Sequence, residues 1–161
     1  MTNSAPPPKS SQGPEAFRAI LQAVFGGEVP HVKALGITVE DFEGPELLMR
    51  LPYAVELVGD PDSGVLHGGA VTTLIDSACG LGVIAALETP RPVATLDLRI
   101  DYLRPAEAGR DLYCRAACYR VTRQVAFARA SAFHLGEEEE PVAAALGSFM
   151  LTDLPSAGND S

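Results

Sequence analysis

Apolar positions along the 161-residue chain follow two rhythms, one near 3.6 residues and one of 2. Ala16, Phe17, Ile20, Leu21, Val24 and Phe25 recur at helical spacing after Pro14, and Gly26-Gly27 ends the run. A short amphipathic helix is predicted there. Strand candidates follow at Gly36–Phe42 and Glu46–Leu51, joined by a Gly44-Pro45 turn. Residues 59–64, Gly-Asp-Pro-Asp-Ser-Gly, are dense in turn formers and read as a loop. Beyond them, Leu74, Ile75, Ala78, Leu81, Ile84 and Ala85 keep helical spacing, while Val71, Cys79 and Val83 fill other faces. A helix that is apolar nearly all round is a buried helix. Pro90 and Pro92 stop it.

The rest of the chain is strand-like. Ala94–Leu103 sets Leu96, Leu98, Ile100 and Tyr102 against Asp97, Arg99 and Asp101. Three more long runs, Asp111–Val121, Val125–Leu135 and Val142–Leu151, are joined by short links at residues 122–124 and 136–140. Long consecutive strands with short links predict an antiparallel meander. The economical solution is an α+β domain, with a six-stranded antiparallel sheet wrapped around one long central helix and a short N-terminal helix ahead of it. Edge strands of this length need covering, which points to an oligomer.

Composition narrows the setting. Apolar residues make up 47% and charged residues 20% of the chain, as in a folded domain. Residues 14–153 are expected to form it, between loose tails at 1–13 and 154–161. Twelve Lys+Arg against 21 Asp+Glu give a net charge of −9, which argues against nucleic acid as a partner. Three cysteines with no CxxC spacing suit a reducing cytoplasm better than a disulfide framework or zinc site. Residues 1–14 carry no basic stretch leading into an apolar one, and the apolar run Ala78–Leu87 is half of a bilayer crossing. No membrane association and a cytoplasmic location are the expectations.

Between Gly68 and Leu87 the only charged side chain is Asp76. A carboxylate in an apolar helix is costly unless bonded, paired or set at a cavity. Three readings compete: a brace for a neighbouring loop, a metal ligand, or a catalytic acid held in poor solvent. Only His67, nine residues away, could join it on a metal, so no metal site is expected. The catalytic reading gains from His67-Gly68-Gly69, where the helix begins. Its first backbone N–H groups lack partners within the helix, and glycines let a substrate approach them. Such donors can stabilise a carbonyl oxyanion. Gly68 and Asp76 stand eight residues apart, about 12 Å along one helix. Both can act on one carbonyl carbon only if they come from two subunits, which again asks for a dimer.

Leu66-His67-Gly68-Gly69-Ala70-Val71-Thr72-Thr73-Leu74-Ile75-Asp76 resembles the HGG-x6-D signature of the phenylacetate-pathway (PaaI-like) hotdog thioesterases. Tyr102-Leu103-Arg104-Pro105-Ala106 is similar to a strand end of the same family, and the resemblance runs from about residue 15 to 152. It implies a hotdog fold and hydrolysis of an acyl-CoA thioester, with coenzyme A entering as part of the substrate and no cofactor. By position, the Gly68 N–H would polarise the carbonyl, with Gly69 beside it. Asp76 of the partner subunit would activate water or attack directly. Thr95 matches a Ser or Thr that helps hold the water. His67 either packs the loop or takes part in catalysis. The catalytic unit would be a homodimer, and the assembly a dimer of dimers.

The chain also departs from the pattern. Relatives often carry an Asn in the loop ahead of HGG, where this sequence has none, and Asp60 or Asp62 is the candidate to replace it. Gly80 lacks the hydroxyl found in some aryl-CoA enzymes. Arg99, Arg104 and Arg120 could meet coenzyme A phosphates or be solvated strand residues, and Arg104 is the candidate carried forward. Met49, Met150 and Cys79 read as core, and His31 and His134 have no local partners. The alternatives are a non-catalytic acyl-CoA sensor and a hotdog hydratase or dehydratase. The first gains nothing from a buried acid, and the second lacks the HGG entry.

Overall fold

A computed structural model describes Ala19 and residues 29–43 and 46–152. The helix expected over residues 14–25 falls outside that range except for Ala19, which is helical, and so do the Gly44-Pro45 turn and both tails. The elements are α1 (Pro30–Ala34), β1 (Thr38–Glu43), β2 (Glu46–Leu51), a 3-10 turn (Val55–Leu57), α2 (Gly68–Ala86), β3 (Val93–Tyr102), β4 (Leu112–Val121), β5 (Val125–Phe133) and β6 (Ala143–Leu151). The apolar spacing does not predict helix α1; Pro30 opens it at a position where the missing N–H costs nothing.

All six strands form one antiparallel sheet in the order β1-β2-β4-β5-β6-β3. Only β4-β5-β6 is a meander. The expected simple succession fails at β3, which crosses to the far edge and pairs with β6 instead of β4. Alternation fixes which face a residue occupies but says nothing about which strand lies beside it.

Helix α2 lies against the sheet's inner face, with Val71, Leu74, Ile75, Ala78, Cys79, Val83 and Ile84 buried. Under it the sheet presents small side chains: Cys114, Ala116 and Cys118 on β4, and Ala126, Ala128, Ala130 and Ala132 on β5. Truncating a fully buried residue such as Leu74 to Ala would cost about 2–5 kcal/mol. At 19 residues with mean hydropathy 1.5, α2 is long and apolar enough to cross a bilayer, more so than the Ala78–Leu87 run suggests; here more than half of it is buried inside the fold.

Strand β3 departs from its neighbours in two ways. It is an edge strand ten residues long, and most of it is exposed. Its register against β6 also slips by one between Thr95 and Asp97, so that Leu96 is an extra residue. Thr95 pairs with buried Phe149, whereas Asp97 pairs with Ser148. The bulge therefore turns Thr95 to the helix side, where strict alternation would have left it outside with Asp97, Arg99 and Asp101. Met150, expected in the core, sits opposite Ala94 on the outer face and is exposed.

Candidate active site

The segment entering α2 is held on both sides. The His67 N–H donates to the Leu57 carbonyl at 2.8 Å and the Gly59 N–H to the Val65 carbonyl at 2.9 Å, closing the 60–64 loop. A Cβ at Gly59 would lie 2.8 Å from His67 Cα, so glycine is what permits this approach. His67 is the N-cap of α2: its Nδ1 accepts the Gly69 N–H at 2.9 Å. A side chain at 69 would run into that imidazole, with Cβ to Nδ1 at 2.9 Å.

The cap consumes the Gly69 donor. The Gly68 N–H has no acceptor among the described residues, and Gly68 is exposed. Tyr102, at the end of β3, supports the same turn: its hydroxyl donates to the Gly68 carbonyl at 2.9 Å and lies 2.8 Å from Thr72 Oγ1. In the sequence Tyr102 reads as an apolar strand position and as the start of the strand-end motif, and nothing in a period of two reveals a hydroxyl aimed at a helix terminus. Beside Gly68 is a cavity of about 370 Å³, lined mainly by apolar side chains including Leu66, Val71, Leu103, Pro105 and Val142.

Asp76 lies two turns further along α2 and is half-buried. Thr95 Oγ1 donates to its Oδ1 at 2.8 Å, the contact made possible by the β3 bulge. No basic side chain pairs with Asp76 among the described residues, so one face of the carboxylate remains free beside the open edge strand. Asp76 and Gly68 sit at different levels of one helix, about 12 Å apart.

The other candidates are placed differently. Asp60 closes its own loop: its carboxylate accepts the Ser63 hydroxyl and the Asp62 N–H, which hold it below the ordinary carboxylate value. Asp62 is exposed at the same tip. Arg104 lines the Gly68 cavity, but its guanidinium is engaged by Glu137 at 2.6 Å, Glu107 at 3.1 Å and the Glu140 carbonyl at 2.9 Å. A phosphate would have to displace one of these partners. No cluster of metal-ligating side chains occurs among the described residues.

Residues 63–140 match the family model of the thioesterase superfamily. A provisionally named esterase of Halobacterium salinarum is 41% identical over 118 residues, which cover 70% of this chain and 77% of that protein. The chain belongs to the thioesterase superfamily. The medium/long-chain acyl-CoA thioesterase YigI of Escherichia coli is 27% identical over 82% of this chain and 92% of its own. A mutant of the phenylacetic acid degradation protein PaaI from Thermus thermophilus superposes with a TM-score of 0.66 at 27% identity, covering 77% of this chain and all of that one. This thioesterase is therefore PaaI-like in sequence and hotdog in fold. Its family match spans the helix entry, α2, β3 and the Arg104 loop, the segments that hold Gly68, Asp76 and Thr95 in place.

Proposed function

We propose that this thioesterase hydrolyses acyl-CoA to a free acid and coenzyme A, with each active site built from two subunits. The observation that carries the reading is Asp76: an unpaired carboxylate on an apolar helix, steadied by Thr95 at an uncovered sheet edge. Asp76 Oδ2 accepts a proton from water as the water oxygen attacks the thioester carbonyl carbon. The Gly68 N–H of the other subunit donates to the oxyanion that forms. Collapse of the tetrahedral species breaks the C–S bond, coenzyme A leaves as the thiolate, and the proton held on Asp76 returns to solvent or to sulfur. No metal or redox step enters.

The fold supports the two-subunit arrangement. Asp76 adjoins Thr95 near the start of β3, and Gly68 adjoins Tyr102 at its end. Antiparallel pairing of two β3 edges about a dyad brings the Asp76 end of one protomer to the Gly68 end of the other. The exposed Leu96, Tyr102 and Leu103 would be covered by that contact, and Leu146 and Met150 on the outer face by a second pairing of dimers. The function fits a cytoplasmic enzyme.

A thiol-release assay over a panel of acyl-CoA substrates tests the proposal. Medium- and long-chain esters head the panel because YigI bears that name, followed by aryl-acetyl and benzoyl esters. Turnover should fall by about 10² or more in Asp76→Ala, with the fold retained. Turnover of none of these esters, or an unaffected Asp76→Ala variant, removes the proposal.

A further inference from the structure

Among the described residues, His134 is the one polar or charged side chain with no exposure at all, and the proposed reaction does not use it. It follows β5 and faces the 103–111 connection between β3 and β4. Its Nε2 accepts the Glu107 N–H at 2.9 Å, and its Nδ1 lies 2.9 Å from the Asp111 carbonyl. A carbonyl only accepts, so Nδ1 carries the proton and the ring is neutral. One imidazole thus ties two backbone points four residues apart.

The tied connection is the wall of the Gly68 cavity. Leu103, Arg104, Pro105 and Ala106 line it from one side, and Leu66 and Gly68 from the other. The two sides are joined where the Leu66 N–H donates to the Ala106 carbonyl at 3.3 Å. They also meet at Gly64, where a Cβ would lie 2.9 Å from that of Ala108. Leu66 is two residues before Gly68. A chain of contacts therefore runs from His134 through Glu107 and Ala106 to Leu66, and from there to the backbone that presents the free N–H.

We infer that His134 is a positioning residue for the Gly68 oxyanion donor: by accepting the Glu107 N–H it fixes the 103–111 wall, and through Ala106 and Leu66 the wall sets where the Gly68 N–H points. This rests on the role of Gly68 in the proposed hydrolysis. The Glu107 bond is the one that matters most, because Glu107 follows Ala106 directly. The Asp111 bond anchors the far end of the connection, where the Asp111 carboxylate already receives the Tyr53 N–H at 2.9 Å.

Two polar variants separate the two ring nitrogens. His134→Gln keeps an acceptor near the Nε2 position, and His134→Asn keeps a donor near Nδ1. We expect His134→Gln to stay within about 3-fold of wild-type kcat, and His134→Asn to lose about 10-fold or more in kcat with KM changed less than 3-fold, since a donor acting on the oxyanion is felt in the transition state. Amide exchange at Leu66 should quicken in His134→Asn and not in His134→Gln. A purely structural histidine would lower the melting temperature of both variants and leave kcat of the folded protein alone, and that result overturns the inference. So does equal kcat in the two variants. Leu66 exchange needs no turnover: if the wild type hydrolyses no thioester but exchange still separates the variants, the proposed reaction has failed while the link from His134 through the wall to Leu66 stands.

Discussion

Two inactive variants should restore activity to each other when mixed. Asp76→Ala removes the proposed base. Gly68→Pro removes the N–H proposed to meet the oxyanion, and the local backbone accepts it: Pro is favoured in the first turn of a helix, and His67 before it already has φ −63° and ψ 135°. A Cβ at Gly68 would meet the Tyr102 hydroxyl at 3.5 Å, an ordinary contact. Each homodimer should lose about 10² or more in turnover. In a mixed dimer, one site takes Gly68 from the Asp76→Ala chain and Asp76 from the Gly68→Pro chain, and is intact; the other lacks both groups. Random exchange at equal concentration makes half of all dimers mixed, each with one working site of two. About one quarter of wild-type activity should return. The assay is release of coenzyme A thiol before and after mild dissociation and reassembly, with co-expression of differently tagged chains as a second route to mixed dimers. Recovery no greater than the mean of the two parents, with mixed dimers demonstrably present, refutes a site shared between subunits.

Two further predictions concern titratable groups. Burial pushes the Cys79 thiol up to about 12, with the negative charge of Asp76 and the neighbouring Cys118 adding to it, and burial raises Cys114 and Cys118 as well. At pH 8 a disulfide reagent should find no fast-reacting thiol in the native protein and three after denaturation; and because the folded state holds the Cys79 proton more tightly, stability should fall as pH rises above about 9. At the 103–111 connection, Arg110 hydrogen-bonded at 2.6 Å is the main cause that holds Glu137 below its ordinary value, with Arg104 adding to it. A depressed carboxylate stabilises the fold above its unfolded pKa and ceases to do so as pH falls through the folded one, so the melting-temperature gap between wild type and Glu137→Gln should be present at pH 7 and shrink as pH falls below the ordinary glutamate value; a gap that does not shrink with acid contradicts this.

The fold and the site are legible in the sequence to different depths. The buried character of α2, the oddity of Asp76 and the glycine entry can be read directly, because each is a local departure from a local pattern. The strand faces are legible too, but only between bulges. A period of two assigns Thr95 to the side of Asp97, and the one-residue slip at Leu96 reverses that, a detail set by pairing with β6 some fifty residues away. The same limit hides His134: its partners Glu107 and Asp111 lie 27 and 23 residues off, across the β4-β5 hairpin, which the sequence marks only as two strands joined by a short link. For His67 the sequence leaves packing and catalysis open; the structure adds a third role, the N-cap of α2, which spends the Gly69 donor and leaves that of Gly68.

The four alanines of β5 carry a consequence for how this enzyme can diversify. Together with Cys114, Ala116 and Cys118 of β4 they make a layer of small, buried side chains beneath α2, which lets the helix pack close to these two strands. Trimming Ala126, Ala128, Ala130 or Ala132 frees one carbon each, and enlarging them levers the helix away. In the proposed two-subunit site, new acyl specificities would be carved on the helix's other flank, where a neighbouring protomer would supply part of the walls, so changes in substrate range should accumulate in pairs that answer one another across the dyad.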